Sequence, residues 1–275
     1  MENGIIIHTG SNRYLVELEN DQIYSCQARG KFKQELLVAG DRVTIEILEE
    51  EKKEGCIVGL EERTVYLKRP KMANLTQIIC VVSMKQPKPD YILLDKQLIF
   101  AQFVGIHPVI CLNKMDLVEK EEIQKIKEVY EKIGYIVMET DAKTGKGINE
   151  LLPLLEGQTT AFSGNSGVGK STLTNCIFQK ETSKEGEISQ KNQRGKNTTT
   201  SVMLYKIGNN AYLADTPGFS TFDISEIPSE ELEQYFPEFD TYRANCEYKG
   251  CQHQKEENCG IKEAVEAGKI DQRKI

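Results

Sequence analysis

The run Gly164-Asn165-Ser166-Gly167-Val168-Gly169-Lys170-Ser171-Thr172 has the residue types needed to hold a phosphate chain. Its glycines let main-chain N–H groups close on an anion. Lys170 supplies positive charge for the β- and γ-phosphates, and the Ser171 hydroxyl is a ligand for Mg²⁺. The apolar run TTAFS (159–163) before it reads as a strand, and the residues after it read as a helix. A helix starting there points its N-terminus at the phosphates. The loop alone does not choose between ATP and GTP.

Asn113-Lys114-Met115-Asp116 makes that choice. Guanine presents N1–H and an exocyclic amine on one edge. The Asp116 carboxylate can accept from both, and adenine lacks the pair. A buried acceptor left unpaired is costly, so such a site discriminates strongly. Asn113 is expected to contact the base edge and tie down neighbouring loops, with the Lys114 stem along the base plane. The motif closes the apolar run HPVICL (107–112), and ligands of parallel α/β sheets sit at such strand ends. Asp141-Ala142-Lys143 follows YIVMET (135–140) and is placed to offer a main-chain N–H to the guanine carbonyl.

Asp215-Thr216-Pro217-Gly218 ends the run NAYLA. Asp215 is expected to hold Mg²⁺ through water, and the Gly218 amide to meet the γ-phosphate. Thr199, or its neighbour in the run Thr198–Thr200, is expected to close on the same Mg²⁺. Lys170, Thr199 and Gly218 are thus the residues expected to act on the reacting phosphate. Residue 219 is Phe, which can neither hydrogen-bond an attacking water nor take its proton. Slow hydrolysis by the isolated protein follows.

Cys246-x4-Cys251-x-His253-x5-Cys259 gathers three thiols and an imidazole, a full tetrahedral set for structural zinc. The chain has eight cysteines and three histidines, so one histidine inside this cluster is a marked concentration. Chance clustering and a redox pair are the competing explanations. In a reducing compartment, metal is favoured over disulfide.

The elements that carry these motifs follow from patterning. Residues 1–68 hold short β-rich runs (GIIIHT, RYLVELE, QIYSCQA, DRVTIEILEE) broken by Asn/Asp and Gly/Asp turns, as in a small barrel. KRPKM (68–72) reads as a junction. From about residue 75, apolar strands alternate with helical segments, which implies a parallel sheet covered on both faces. A polar stretch after Lys180 runs to Thr200, and SVMLYKI and NAYLADT read as a hairpin. From Ser220, short helices surround the cysteines.

The net charge of −7 argues against nucleic-acid binding driven by the whole surface. Residues 1–68 carry 9 basic and 13 acidic side chains, and residues 222–275 carry 7 and 13. Lys180, Lys184, Lys191, Arg194 and Lys196 form a basic cluster that is either a local binding patch or a solvated face. No apolar run approaches the ~20 residues of a membrane span. The start MENGIIIHTG lacks a signal peptide's basic region. A cytoplasmic monomer without membrane contact is expected.

These motifs, in this order, resemble the circularly permuted GTPases. CQARGKF (26–32), AGDRV (39–43), KRP (68–70), Asn74, the threonine run, DTPGF (215–219) and the Cys/His spacing narrow the resemblance to the ribosome small-subunit-dependent GTPase family of RsgA/YjeQ type. The resemblance covers nearly the whole chain. It implies an OB-fold RNA-binding barrel over 1–68, a circularly permuted α/β P-loop GTPase domain over 69–220, and a mostly helical zinc-binding domain over 221–275. It also implies GTP/GDP as ligands, GTP hydrolysis stimulated by the small ribosomal subunit during its late maturation, and rRNA contact. The alternative is a GTP-dependent RNA-binding switch whose hydrolysis is incidental. Two departures stand out. Asn197 occupies a position where the family has histidine, and the segment after the cysteines is shorter than the family's closing helix.

Overall fold

The computed structural model describes residues 1–185, 202–208, 210–216 and 224–274, with main chain only at 181–185. Five strands form the N-terminal barrel: β1 (Glu2–Thr9), β2 (Tyr14–Leu18), β3 (Ile23–Ala28), β4 (Arg42–Glu49) and β5 (Glu54–Leu60). Their order is β1-β2-β3-β5-β4, and β4 pairs back onto β1 to close the barrel, as in an OB-fold. Alternation along the strands buries Ile6, Val16, Tyr24, Cys26, Ile45 and Ile57 inside. The sequence reading found β1 to β4. It passed over β5, because EGCIVGL carries two glycines and no alternation of polar residues.

A small hairpin, β6 (Tyr66–Lys68) and β7 (Lys71–Ala73), takes the KRPKM junction. The central layer then alternates: β8 (Gln77–Ser83), α1 (Tyr91–Val104), β9 (His107–Asn113), α2 (Lys120–Glu131), β10 (Ile136–Thr140), α3 (Ile148–Leu155), β11 (Thr159–Ser163) and α4 (Lys170–Glu185). Strands β12 (Met203–Lys206) and β13 (Tyr212–Asp215) form the expected antiparallel hairpin. The order is β10-β9-β8-β11-β13-β12, parallel from β10 to β13. Every residue of β8 is buried, since apolar layers cover both faces of the sheet. α4 runs further than the sequence reading placed it, to Glu185, through the polar residues after Lys180. No helix among the described residues is long and apolar enough to cross a membrane.

The barrel and the central layer share one sheet, because His8 of β1 pairs with Met203 of β12. A second joint is polar. Asp41, with no exposed surface, accepts from Arg63 Nε at 2.6 Å, Arg63 Nη2 at 2.8 Å and the Val38 N–H at 2.8 Å. Asn74 accepts from the Thr64 N–H at 2.9 Å and donates to the Gly40 carbonyl at 2.9 Å. Gly40 has φ +90°, and a Cβ there would lie 1.9 Å from the Ala73 carbonyl oxygen. Only glycine fits that approach.

The C-terminal part carries the short helices α5 (Asp240–Arg243) and α6 (Gly260–Glu266) around a small core of Phe239, Cys251, Cys259, Ile261, Ala264 and Ile270. Asp41→Ala removes the buried acceptor of the Val38 N–H and of the Arg63 guanidinium, which is itself 24% exposed and can be rehydrated. The change is expected to destabilise the barrel by roughly 1–3 kcal/mol, read as a lower urea midpoint for barrel unfolding. An unchanged midpoint would show that the Asp41–Arg63 pair does not hold this joint.

Candidate nucleotide-binding site and Cys/His cluster

β9 is an interior strand, so Asn113 at its carbonyl end is 1% exposed. Its Nδ2 donates to the Val168 carbonyl at 2.8 Å. Its Oδ1 accepts from the Ala142 N–H and from Thr140 Oγ1, each at 3.1 Å. One amide thus joins three loops: its own, the glycine-rich loop and the Asp141–Lys143 loop. The glycines make room for this. A Cβ on Gly169 (φ +109°) would lie 2.2 Å from Asn113 Nδ2, and one on Gly164 (φ +134°) 2.3 Å from the Val81 carbonyl oxygen.

Lys114 has a left-handed backbone, and its Nζ donates to the Gly167 carbonyl at 2.7 Å and to the Gln86 carbonyl. Its ammonium therefore clamps the glycine-rich loop, beyond the base-flanking role read from sequence. Asp116 is exposed, with no hydrogen-bond partner among the described residues. Asp141 is buried, and its carboxylate turns into its own loop, accepting from the Lys143 N–H at 3.0 Å and from Thr144 Oγ1 at 2.6 Å. The Ala142 N–H is the loop donor nearest the Asn113 amide, and here the two are bonded to each other.

In the glycine-rich loop, Lys170 Nζ donates to the Gly164 carbonyl at 2.6 Å and to the Asn165 carbonyl at 2.9 Å. Burial lowers the pKa of this ammonium from its ordinary value. Val168 is buried, Ser166 and Gly167 are exposed, and Ser171 and Thr172 sit exposed on the first turn of α4. That turn has unpaired main-chain N–H groups and the positive end of the helix dipole. β13 pairs in parallel with β11, so exposed Asp215 leaves the sheet beside the loop. Thr199 and Gly218 lie outside the described residues, as do Asn197, Phe219 and the basic residues Lys191, Arg194 and Lys196. The sequence-derived residues that are described therefore converge on one end of the sheet.

Sequence reasoning missed the support from α1. Asp90 caps this helix, accepting from the Leu93 N–H at 2.9 Å, and its other oxygen accepts from Asn165 Nδ2 at 3.0 Å. Gln97 Nε2 donates to Ser163 Oγ at 2.8 Å. A cavity of about 10 Å³ lies among Ser83, Asp90, Gln97 and Asn165, room for one water. Ser83 Oγ, buried beside it, has no partner among the described residues. Pro89-Asp90 ahead of an apolar helix was the available signal, a helix N-terminus.

The second site is the cysteine cluster. Ligand atoms of Cys246, Cys251, His253 and Cys259 all lie within 4.8 Å of one another. His253 Nδ1 faces the thiols, 3.2 Å from Cys259 Sγ and 3.7 Å from Cys246 Sγ. Its Nε2 lies 2.7 Å from Glu233 Oε2, which fixes the tautomer that leaves Nδ1 a free donor atom. Cys259 is buried, which opposes a thiolate, yet the N–H groups of Lys262 and Ile261 with His253 and Cys251 hold its pKa below the ordinary value. No cysteine is disulfide-bonded. Three thiols and one imidazole, with a carboxylate behind the imidazole, fit a closed tetrahedral metal site. Glu233 lies outside the Cys/His spacing, so sequence alone did not single it out.

The RsgA GTPase family model matches residues 60–225, and the RsgA N-terminal domain model matches residues 3–57. The chain belongs to the RsgA GTPase family. This RsgA-family chain is 40% identical over 274 residues to the small ribosomal subunit biogenesis GTPase RsgA of Alkaliphilus metalliredigens, covering 99% of the chain and 94% of that relative. It is 42% identical over 270 residues to the protein of the same name from Clostridium perfringens strain SM101, covering 98% and 92%. Among solved structures, it superposes on YjeQ from Thermotoga maritima with a TM-score of 0.83 at 35% identity, covering 99% and 94%. It also superposes on YloQ, a circularly permuted GTPase, at 0.81 and 34%, covering 99% and 91%. The RsgA-family chain is thus a circularly permuted GTP hydrolase, and Mg²⁺ accompanies GTP in this chemistry.

Carboxylates behind metal-bound histidines raise ligand basicity and fix ring orientation. Glu233→Gln is expected to weaken metal retention roughly tenfold or more, measured by competition with a chromogenic chelator. Retention equal to the native protein would remove Glu233 from that role.

Proposed function

We propose that this chain hydrolyses GTP on the small ribosomal subunit during late maturation of that particle. The observation that carries the reading is the Asn113 amide, which holds the NKMD, glycine-rich and Asp141–Lys143 loops at one sheet end. Proteins named small ribosomal subunit biogenesis GTPase match it over nearly their whole length, and this supports the particle as partner. Gly164 to Thr172 cradle the phosphates, Asp116 reads guanine, and the Asp141–Lys143 loop meets the guanine carbonyl. Ser171, Thr199 and Asp215 hold Mg²⁺. Lys170, Thr199 and the Gly218 amide face the γ-phosphate. In use, Lys170 leaves the Gly164 and Asn165 carbonyls for phosphate oxygens, an exchange of neutral acceptors for charged ones.

Cys246, Cys251, His253 and Cys259 hold one structural zinc, which organises the C-terminal segment. Ribosomal RNA is met by the barrel and by this domain. Exposed Arg29, Lys31 and Lys33 around the turn Gly30–Lys33 form a local basic edge on a barrel of acidic overall balance. The protein works as a cytoplasmic monomer over domains 1–68, 69–220 and 221–275. A second reading, a GTP-dependent RNA-binding switch with incidental turnover, draws on Phe219 and Asn197, neither of which can act as a base towards water.

Single-turnover GTP hydrolysis with and without purified small subunits separates the two. Acceleration of at least tenfold by subunits is expected, and no acceleration leaves the switch reading. Asp116→Asn is expected to shift preference from GTP towards xanthosine triphosphate. The 2-amino donor loses its acceptor, while the xanthine carbonyl gains a donor. Unchanged base preference would take Asp116 out of base recognition. Metal analysis of purified protein is expected to find about one zinc per chain. Absence of zinc together with a disulfide between cluster cysteines would overturn the metal assignment.

A further inference from the structure

α1 touches two parts of the molecule on different sides. Asp90 and Gln97 are seven residues apart, two turns along one face. Asp90 reaches the glycine-rich loop, accepting from Asn165 at 3.0 Å, and Gln97 reaches the end of β11 that leads into it, donating to Ser163 at 2.8 Å. Tyr91 and Asp95 lie about 100–140° further round the helix, and both hold the C-terminal segment. The Arg273 guanidinium sits 4.4 Å over the Tyr91 ring, and Lys274 Nζ lies 2.5 Å from Asp95 Oδ1. Tyr130 of α2 donates to the same oxygen at 2.9 Å.

This seat is built into the interior. The Lys274 side chain is 4% exposed, and its ammonium is also 3.4 Å from Glu238 Oε1 of the C-terminal domain. It lies 5.2 Å from the Tyr130 ring and 5.8 Å from the Phe236 ring. Burying a lysine with two carboxylates and two rings defines one position for the segment, since any slip strands a charge. The segment Asp271–Lys274 follows directly on the core of the Cys/His domain through Ile270. Between seat and loop there are only two turns of helix and two side-chain hydrogen bonds.

We propose that Arg273 and Lys274 are positioning residues for the phosphate loop. Seated on Tyr91 and Asp95, they hold α1 against Ser163 and Asn165. Withdrawal of the C-terminal domain from the seat then slackens the GTP cradle. Linkage makes the effect reciprocal: a phosphate chain that fixes the loop also fixes the seat. The inference rests on the GTP reading of the loop given above, and it adds a control of that loop by the C-terminal domain.

The test uses the full chain and a non-hydrolysable GTP analogue. Asn165→Ala cuts the Asp90 arm of the connection at its loop end and leaves the Gln97–Ser163 bond in place. The set Asp95→Asn, Glu238→Gln and Lys274→Met cuts the seat and removes all three of its buried charges together. Each variant is expected to weaken analogue binding roughly two- to tenfold, and their combination to be no weaker than the worse of the two, since both break one connection. Amide exchange over 271–274 is expected to slow when the analogue binds the native chain and to slow less in Asn165→Ala. A seat variant that melts earlier yet binds the analogue as the native chain does would overturn the inference, as would effects that simply multiply. A native chain that binds no analogue would overturn both the inference and the GTP reading. Native binding with unmoved variants would overturn the inference alone.

Discussion

One side-chain amide sets the geometry at the nucleotide end of the sheet. Asn113 has a donor and an acceptor in fixed relation, and it spends both on the main chain of loops that arrive from different parts of the sequence. At 1% exposure neither group has water as an alternative partner, so each bond lost would leave a buried polar atom unpaired. The glycine at 169 exists in its shape because that amide occupies the space a Cβ would need. Lys114, the next residue, reinforces the arrangement with a charge on the Gly167 carbonyl.

The permuted chain order fits this constraint. The amide meets the loops in space, so the order in which strands are strung together is immaterial to it. Entering the sheet at β8 makes NKMD precede the glycine-rich loop, while the pairing of β8 with both β9 and β11 keeps the two adjacent. What permutation changes is the exit. The chain leaves the nucleotide end from β13 and passes into the Cys/His domain, which then returns to α1 through Lys274.

Much of this was legible in the sequence because the relevant signals are local. A glycine-rich loop, an NKxD at a strand end and a Cys/His cluster each carry their chemistry within a dozen or so residues. The apolar strands β8 and β9 and the amphipathic α2 declared themselves by periodicity. What was not legible depends on distant pairs. Glu233 behind His253, Asp90 under Asn165, and Asp95 around Lys274 are ordinary charged residues until the fold brings them together. β5 escaped for a different reason: half-buried, glycine-containing strands lack a clean period. The Asp141–Lys143 loop was read from sequence as a main-chain donor, with no part given to the Asp141 carboxylate. That carboxylate builds the turn that presents the main chain, an Asx-type role that sequence position alone does not reveal.

The pairing of His8 with Met203 has a consequence for how this chain behaves when cut. β12 is the last strand of the central layer, and β1 is the element that lies along its outer side. The barrel thus serves the central layer as an edge guard. A fragment beginning after the barrel would present β12 with open N–H and C=O groups to any neighbour. Such an edge invites strand addition between molecules. The first domain therefore contributes to colloidal behaviour, and it cannot be cut away without creating a sticky border.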